Sequence, residues 1–229
     1  MGSAALLRDS QVLAEISAYE ETLYSTRLFR DVALLQRQAG FRLDQIDVFA
    51  VAAGPGSFTG LRVGLTAVKA WSEVHRKPIA AVSGLAAIAA ESLNAETASD
   101  GNTHYIAPFM DARRGQLFGA IYRCDSGNAA DLTLDSQESI LSLDEFLVLV
   151  EGRSAQAIQL VSPTPELLPS DRLKQVMPDV RIVQVSAALA PAIGRLGYEK
   201  AMRGDLVDAF GLDANYVRRS DAEARWKDA

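Results

Sequence analysis

A glycine-rich stretch, AAGPGSFTGLRVG at residues 52–64, holds the residue types whose spacing points most directly to chemistry. It follows an apolar run and leads into a segment with helical spacing, and the N–H groups at a helix N-terminus attract anions. Serine and threonine can cap the first turn, and an arginine one turn later can contact a phosphate bidentately. The stretch therefore predicts a nucleotide or anion loop formed by Gly54, Pro55, Gly56, Ser57, Phe58, Thr59, Gly60 and Arg62.

Two standard phosphate-binding patterns do not fit this loop. The Walker pattern has lysine and then serine or threonine after its last glycine, whereas Leu61 and Arg62 follow Gly60. The dinucleotide-binding pattern G-x-G-x-x-G is missed by one residue. The alternative is a tight strand-to-helix turn whose glycines let the helix pack on the sheet, and the spacing alone favours neither interpretation.

A second candidate is the segment MDARRGQLF at residues 110–118, which has the pattern of a hairpin tip. Asp111, Arg113 and Arg114 would lie on that tip. The arginines could contact a phosphate or a carboxylate of a partner. A solvated turn is the more common role of such residues, and the segment by itself favours that role.

The composition argues against several classes of protein. The chain has 229 residues and a formal net charge of −6. This charge disfavours a protein that binds nucleic acid by itself through a broad basic surface. The single cysteine, Cys124, makes an internal disulfide impossible, and we expect it in the core. With only two histidines besides this cysteine, a zinc site is not expected. We find neither a membrane-length apolar run nor a signal-peptide pattern, so we expect a cytoplasmic protein that contacts no membrane.

Hydrophobic periodicity predicts an α/β fold in which strands and helices alternate. In the first part the predicted strands are 3–7, 11–16, 46–54 and 78–84, and the predicted helices are 20–39, 60–75 and 85–95. The apolar run at 46–54 is typical of a buried parallel strand. In the second part the predicted strands are 105–112, 116–124 and 156–162, and the predicted helices are 141–150 and 186–203. The polar segment 96–104 divides the chain into units 1–98 and 99–229.

Five segments resemble the bacterial TsaB proteins, also called YeaZ. GPGSFTGLRVG at 54–64 is similar to the signature of that family. The other similar segments are GSAALLRDSQVLAE at 2–15, KPIAAVSGLAAIA at 77–89, MDARRGQLFGAIY at 110–122 and DANYVRRSDAE at 213–223. The resemblance therefore extends over nearly the whole chain.

The resemblance implies a fold with two similar subdomains, that of acetate and sugar kinases, heat-shock proteins and actin. It implies a non-catalytic subunit of the complex that forms N6-threonylcarbamoyladenosine next to the anticodon of tRNAs reading ANN codons. Its partners would be the catalytic subunit TsaD, which carries the metal and the chemistry, and the ATPase TsaE. Contact with tRNA would occur only through that complex. No cofactor would bind tightly, and ATP or ADP would bind only weakly or at the interface with TsaD.

In the TsaB family the first two helices of the N-terminal half form the dimer contact, which implies a partner interface on residues 20–39 and 60–75. These helices carry more apolar residues than one inner face requires, so we expect part of that surface to face outward. The predicted interface residues are Leu23, Leu28, Phe29, Val32, Leu35, Leu61, Leu65, Val68 and Trp71. We expect a homodimer when TsaD is absent.

The chain departs from the family pattern in two respects. Tyr24 stands where the family often has histidine, and Arg30 where it often has proline. The family also begins with a central strand carrying an Asp-Thr-Ser-like segment, which we do not find here. We therefore expect unpaired strand edges, and we expect an extension carrying that strand to raise thermal stability.

Two other functions remain open on the sequence. One is a stand-alone ATPase or kinase of the same fold that uses Ser57, Thr59 and Arg62 around a phosphate. The other, less favoured, is a peptidase, although no nucleophile with a positioned base is recognisable. The H-x-x-x-H pair of TsaD-like enzymes does not occur in the chain, so we predict no metal site and no catalytic residue.

Overall fold

The computed structural model describes residues 2–18, 24–93, 103–153, 158–178, 180–215 and 217, apart from the side chains of residues 24 and 25. These residues form an α/β structure with two compact units. The first unit contains the described residues of Met1–Gly84 and Ala187–Ala229, and the second contains those of Leu85–Ser186. The predicted division after residue 98 differs from this one, because the last helix returns to the first unit.

The first unit combines four strands with three helices. β1 (Gly2–Arg8) and β2 (Gln11–Ala18) form an antiparallel hairpin, whereas β3 (Phe49–Gly54) and β4 (Ile79–Ser83) pair in parallel. The helices are α1 (Tyr24–Ala39), α2 (Phe58–His75) and, after the second unit, α6 (Ala190–Met202). The hairpin, the parallel pair and the three helices were all predicted from the sequence, with boundaries that differ by a few residues.

The second unit is built around a seven-stranded mixed sheet. Its strands are β5 (His104–Arg113), β6 (Gln116–Gly119), β7 (Tyr122–Cys124), β8 (Leu132–Leu134), β9 (Ser139–Ser142), β10 (Ile158–Ser162) and β11 (Arg181–Gln184). Its helices are α3 (Gly84–Glu91), which follows β4 directly, α4 (Leu143–Glu151) and α5 (Ser170–Val176). The main path of the sheet is β11-β10-β5-β6-β9, with β7 between β5 and β8. The helix predicted at 141–150 forms as α4, and its N-cap is Ser142, which bonds reciprocally with Glu145 in a capping box.

The single strand predicted at 116–124 is wrong, since the structure has two strands there. β6 pairs with the end of β5, and β7 pairs with the beginning of the same strand. Between them, the N–H of Ile121 donates to the Ser136 hydroxyl at 2.7 Å, and its carbonyl accepts the N–H groups of Asp135 and Ser136. Ile121 thus bonds to Asp135 and Ser136 instead of to β5. The chain therefore breaks its pairing with β5 after β6 and resumes it at β7.

In the first unit, the two pairs of strands lie between α6 on one face and α1 and α2 on the other. In β1, the Ser3 hydroxyl accepts the N–H of Ala190 in α6 at 3.1 Å, whereas Ala4 packs against the cluster containing Leu28 and Val32 of α1. Successive side chains of a strand point to opposite faces, so α6 and α1 cover opposite faces of β1. Within the described residues, no ladder joins the β1–β2 hairpin to the β3–β4 pair.

Two glycines let α6 lie close to both pairs of strands. A Cβ added to Gly194 would lie 2.5 Å from a methyl of Leu7 in β1. A Cβ added to Gly197 would lie 2.5 Å from the Cβ of Ala50 in β3. Real Cβ contacts are much longer, and the Cβ of Ala50 is fixed to its backbone, so α6 can take its observed position only with glycine at 197. At 194 a larger residue would require the Leu7 side chain to move.

We predict that Gly197→Ala lowers the free energy of unfolding by about 1–3 kcal/mol, because the new methyl overpacks the interface between α6 and β3. Gly64→Ala is the matched control, since Gly64 is also inside a helix and its added Cβ would lie 3.7 Å from Val51, an ordinary contact. Gly64→Ala should raise the free energy of unfolding by about 1 kcal/mol, because alanine favours a helix more than glycine does. Urea unfolding of both variants measures the difference, and equal effects would contradict the close packing of α6.

Candidate functional site

The glycine-rich loop connects the end of β3 at Gly54 to the start of α2 at Phe58. Ser57 is the N-cap of this helix, as predicted: its hydroxyl accepts the N–H of Gly60 at 3.4 Å, and its carbonyl accepts the N–H of Leu61 at 2.8 Å. The first turn of α2 thus has one of its donors satisfied by the loop itself.

Gly54 allows another part of the chain to cross the loop. The N–H of Asn215 donates to the carbonyl of Ala53 at 2.7 Å, so the segment after α6 lies directly against the end of β3. A Cβ at Gly54 would collide with the carbonyl oxygen of Asn215, and the φ of Gly54 is +125°. Both facts require glycine at this position, where it makes room for the returning chain and not for α2 to pack on the sheet. Gly56 has no such requirement, because the atoms nearest its added Cβ are 3.9 Å away on Leu61.

Arg62, the cation of the predicted anion loop, lies on the exposed side of α2. Its guanidinium carbon is 3.8 Å from the centroid of the Phe58 ring, which is a cation–π contact. An open cavity of about 180 Å³ adjoins it, lined by Arg62, Thr66 and Lys69 of α2 and by the 212–214 segment. This cavity places two cations together, whereas residues 54–60 do not line it. Of the predicted loop residues only Arg62 lines this cavity, where Asp213 adds a carboxylate beside the two cations.

The titratable side chains show no metal centre in the described ranges: no three His, Cys, Asp or Glu side chains come together there. Cys124 is buried, as predicted. Burial raises the pKa of its thiol above the usual value. His75 ends α2 and His104 begins β5.

The predicted hairpin tip forms between β5 and β6 and has an unusual backbone. Arg113, Arg114 and Gly115 are consecutive left-handed residues, with φ values of 67°, 57° and 71°. This conformation costs a non-glycine residue about 1–2 kcal/mol. Asp111 supports the turn, because its carboxylate accepts the N–H of Arg113 at 2.6 Å and lies 3.5 Å from the guanidinium of the same residue.

Most of the residues predicted for the partner interface on α1 and α2 face inward, so the prediction of them as interface residues is wrong. Six of them are buried within the chain itself: Leu28, Val32, Leu35, Leu61, Leu65 and Val68. Leu61, Leu65 and Val68 pack against Phe49 and Val51 of β3, and Leu28 and Val32 pack against α2 through Ala67. The helices use their apolar residues on the sheet and on each other, so glutamate at Val68 would disrupt the core. Leu23 lies outside the described residues.

A smaller apolar surface remains exposed on these two helices. Phe29 is 58% exposed and meets the half-buried Trp71 edge-on, with ring centroids 5.9 Å apart. One turn apart on α2, Ala70 is exposed and Val74 is 74% exposed. We call Phe29, Ala70, Trp71 and Val74 the helix-pair surface. Sequence analysis missed Ala70 and Val74, although their spacing of four residues beside Trp71 was available as a signal.

The two substituted positions of the family pattern lie in the first half of α1. Arg30 is an exposed residue of this helix, and its guanidinium is 3.8 Å from the carboxylate of Asp31. Tyr24 is the first residue of α1, and its side chain lies outside the described part.

Comparison with known proteins identifies relatives along the whole chain. Residues 19–169 match the family model for TsaD, tRNA N6-adenosine threonylcarbamoyltransferase. The tRNA threonylcarbamoyladenosine biosynthesis protein TsaB of Bacillus subtilis (strain 168) is 29% identical over 225 residues, which cover 97% of this chain and 91% of that protein. A tRNA N6-adenosine threonylcarbamoyltransferase of Methylobacterium sp. (strain 4-46) is 42% identical over 76 residues, or 33% of this chain and 21% of that enzyme.

The fold also matches a solved structure, YeaZ from Pseudomonas aeruginosa. The TM-score is 0.72, the sequence identity is 23%, and the match covers 93% of each chain. This likeness concerns the fold. No helix of the described ranges has the length and hydrophobicity that a membrane span requires.

We predict that Gly54→Ala lowers the free energy of unfolding by at least about 2 kcal/mol, since it adds backbone strain and a collision with Asn215. Gly56→Ala is the control from the same loop and should change stability by less than about 1 kcal/mol. Thermal and urea unfolding measure both effects. A Gly54→Ala protein as stable as the control would contradict the crossing of the loop by the 212–215 segment.

Proposed function

Since this chain belongs to the TsaB (YeaZ) branch of the TsaD family, we propose that it is the accessory, non-catalytic subunit of a complex that forms N6-threonylcarbamoyladenosine on tRNA. The observation that carries this proposal is the match to a TsaB protein over 97% of the chain and 91% of that protein, whereas the match to the Methylobacterium transferring enzyme covers 33% of the chain and 21% of that enzyme. The complex would contain TsaD as the catalytic subunit and TsaE as the ATPase, and it would work in the cytoplasm.

The geometry of the glycine-rich loop supports a structural role. The backbone of Asn215 occupies the space over Gly54, and the Ser57 hydroxyl caps the first turn of α2. Arg62 stacks on Phe58 and borders a cavity elsewhere on α2. The loop thus serves to join β3, α2 and the returning chain, and we propose no catalytic residue in it.

We also propose that the two units have the fold of acetate and sugar kinases, heat-shock proteins and actin. The first unit supports this because β1–β2 and β3–β4 form separate pairs within the described residues, yet both contact α6. In that fold one more strand would lie between β1 and β3 and join the pairs into one sheet. Such a strand would be covered on both faces, by α6 and by the α1–α2 pair, so its side chains would be apolar on both faces.

The helix-pair surface is our proposed contact with TsaD, and with a second copy of the chain when TsaD is absent. An edge-on aromatic pair flanked by exposed aliphatic residues is typical of an interface anchor. The buried residues of the same helices hold the surface in place, since they fix α1 and α2 on the sheet.

We predict that Val74→Glu abolishes the homodimer and weakens TsaD binding, because a charge buried without a partner costs association about 3–5 kcal/mol. The folded monomer should survive, since Val74 is 74% exposed. Light scattering gives the oligomeric state, and a titration with TsaD gives the affinity.

Val148→Glu is the matched control for this test. Val148 is also a helical valine, on α4 of the second unit, and is 68% exposed. It should leave the homodimer and TsaD binding unchanged. If Val74→Glu behaves like this control, the partner contact lies on another surface.

The alternative function is a stand-alone ATPase or kinase, and the cavity with Arg62 and Lys69 is the observation that favours it. We predict that the purified chain shows no significant ATP turnover and no tRNA modification on its own, and that TsaD and TsaE are needed for modification. Calorimetry with ATP and Mg²⁺ and an assay of modified tRNA test both statements. Tight binding with turnover, abolished by Arg62→Ala, would support the ATPase and overturn the accessory role.

A further inference from the structure

The hairpin tip of the second unit, Asp111–Gly115, is a strained element on a rigid base. Strands β5 and β6 enter the tip from the core, where Phe109 and Leu117 are almost fully buried. Phe109 also packs against Phe146 of α4, with ring centroids 5.4 Å apart. The tip is therefore fixed in position by the core beneath it.

The residue types at the tip do not suit its backbone. Glycine, asparagine and aspartate are the residues that adopt left-handed turns readily, yet Arg113 and Arg114 occupy two consecutive left-handed positions. The ion pair between the Arg113 guanidinium and the Asp111 carboxylate contributes little to stability, since the arginine side chain is 86% exposed and the charged groups are 3.5 Å apart. Arg113 thus lowers the stability of the turn without an equivalent gain from its ion pair.

We propose that Arg113 and Arg114 form a docking tip that binds acidic side chains of a protein partner. Guanidinium groups pair bidentately with carboxylates, and arginine is enriched among the residues that dominate protein interfaces. A rigid hairpin presents such groups without a large loss of conformational entropy on binding. The proposal rests on the proposed function in one respect, namely that the chain acts by binding other subunits.

The charges favour a protein carboxylate over the phosphates of RNA. Affinity for a polyphosphate grows with the number of cations that contact it. The tip offers two cations and a carboxylate of its own, Asp111, and the chain as a whole carries a net charge of −6. A carboxylate partner needs only the two guanidiniums.

The test separates strain from binding through the double variant Arg113→Asn and Arg114→Asn. Asparagine tolerates the left-handed conformation, so the melting temperature should rise by roughly 2–5 °C. The affinity for TsaD, measured with and without TsaE, should fall at least about tenfold. Arg181→Asn, which removes an exposed arginine from β11 of the same unit, is the control and should change neither quantity.

The double Lys variant at the same positions keeps the charge and the backbone strain but loses the bidentate geometry. Its melting temperature should stay that of the parent, and its affinity should fall between those of the parent and the asparagine variant. If the parent binds TsaD and the asparagine variant binds equally well in all mixtures, the docking tip is wrong and the proposed function stands.

A second measurement applies if the parent protein binds neither TsaD nor TsaE, which would overturn the proposed function. The Nε–H resonances of Arg113 and Arg114 are followed by NMR during separate titrations with a capped glutamate hexapeptide, inorganic phosphate and tRNA. Shifts caused by the acidic peptide at both arginines would support the docking tip. No shift with the peptide, or larger shifts with phosphate or tRNA, would overturn it.

Discussion

The first unit depends on the close packing of α6 against two pairs of strands that share no hydrogen-bonded ladder among the described residues. A sheet normally holds its strands together through backbone hydrogen bonds, and a lone two-stranded hairpin is only marginally stable. Here the hydroxyl of Ser3 accepts the N–H of Ala190, and Gly194 and Gly197 bring the helix into contact with Leu7 and Ala50. The α1–α2 pair covers the opposite face. Side-chain packing therefore replaces part of the cohesion that backbone pairing provides elsewhere.

The same constraint explains the glycine-rich loop. The chain that follows α6 has to return across the end of β3, and it does so through the bond between the Asn215 N–H and the Ala53 carbonyl. Gly54 leaves room for that crossing, and Ser57 begins α2 immediately afterwards. The loop has the composition of an anion-binding loop, but its first glycine, Gly54, is explained by the chain segment that crosses it. The cations at Arg62 and Lys69 border a separate cavity.

Local patterns in the sequence predicted the elements well and their orientations less well. The hairpin β1–β2, the parallel strand β3 and the cap at Ser57 follow from alternation, apolar runs and capping preferences, which act over a few residues. The burial of Val68 does not follow from them, because the apolar stripe of a helix looks the same whether it faces a sheet or a partner. The break at Ile121 depends on bonds to Ser136, fifteen residues away, and the role of Gly54 depends on Asn215. Such distant partners carry no local signal.

The first unit is discontinuous, and this has a consequence for how the chain folds during synthesis. Its final layer, α6, and the segment that crosses β3 leave the ribosome only after the whole second unit, Leu85–Ser186, has been made. Two backbone bonds between Ile79 and Val207, at 2.8 and 2.9 Å, add another contact with this late segment. The second unit, being continuous, has all its strands available first. The N-terminal half must therefore wait for the C-terminal residues. Throughout that interval the face of β1, β3 and β4 that α6 later covers is exposed, and such exposed surface makes an incomplete chain prone to aggregation.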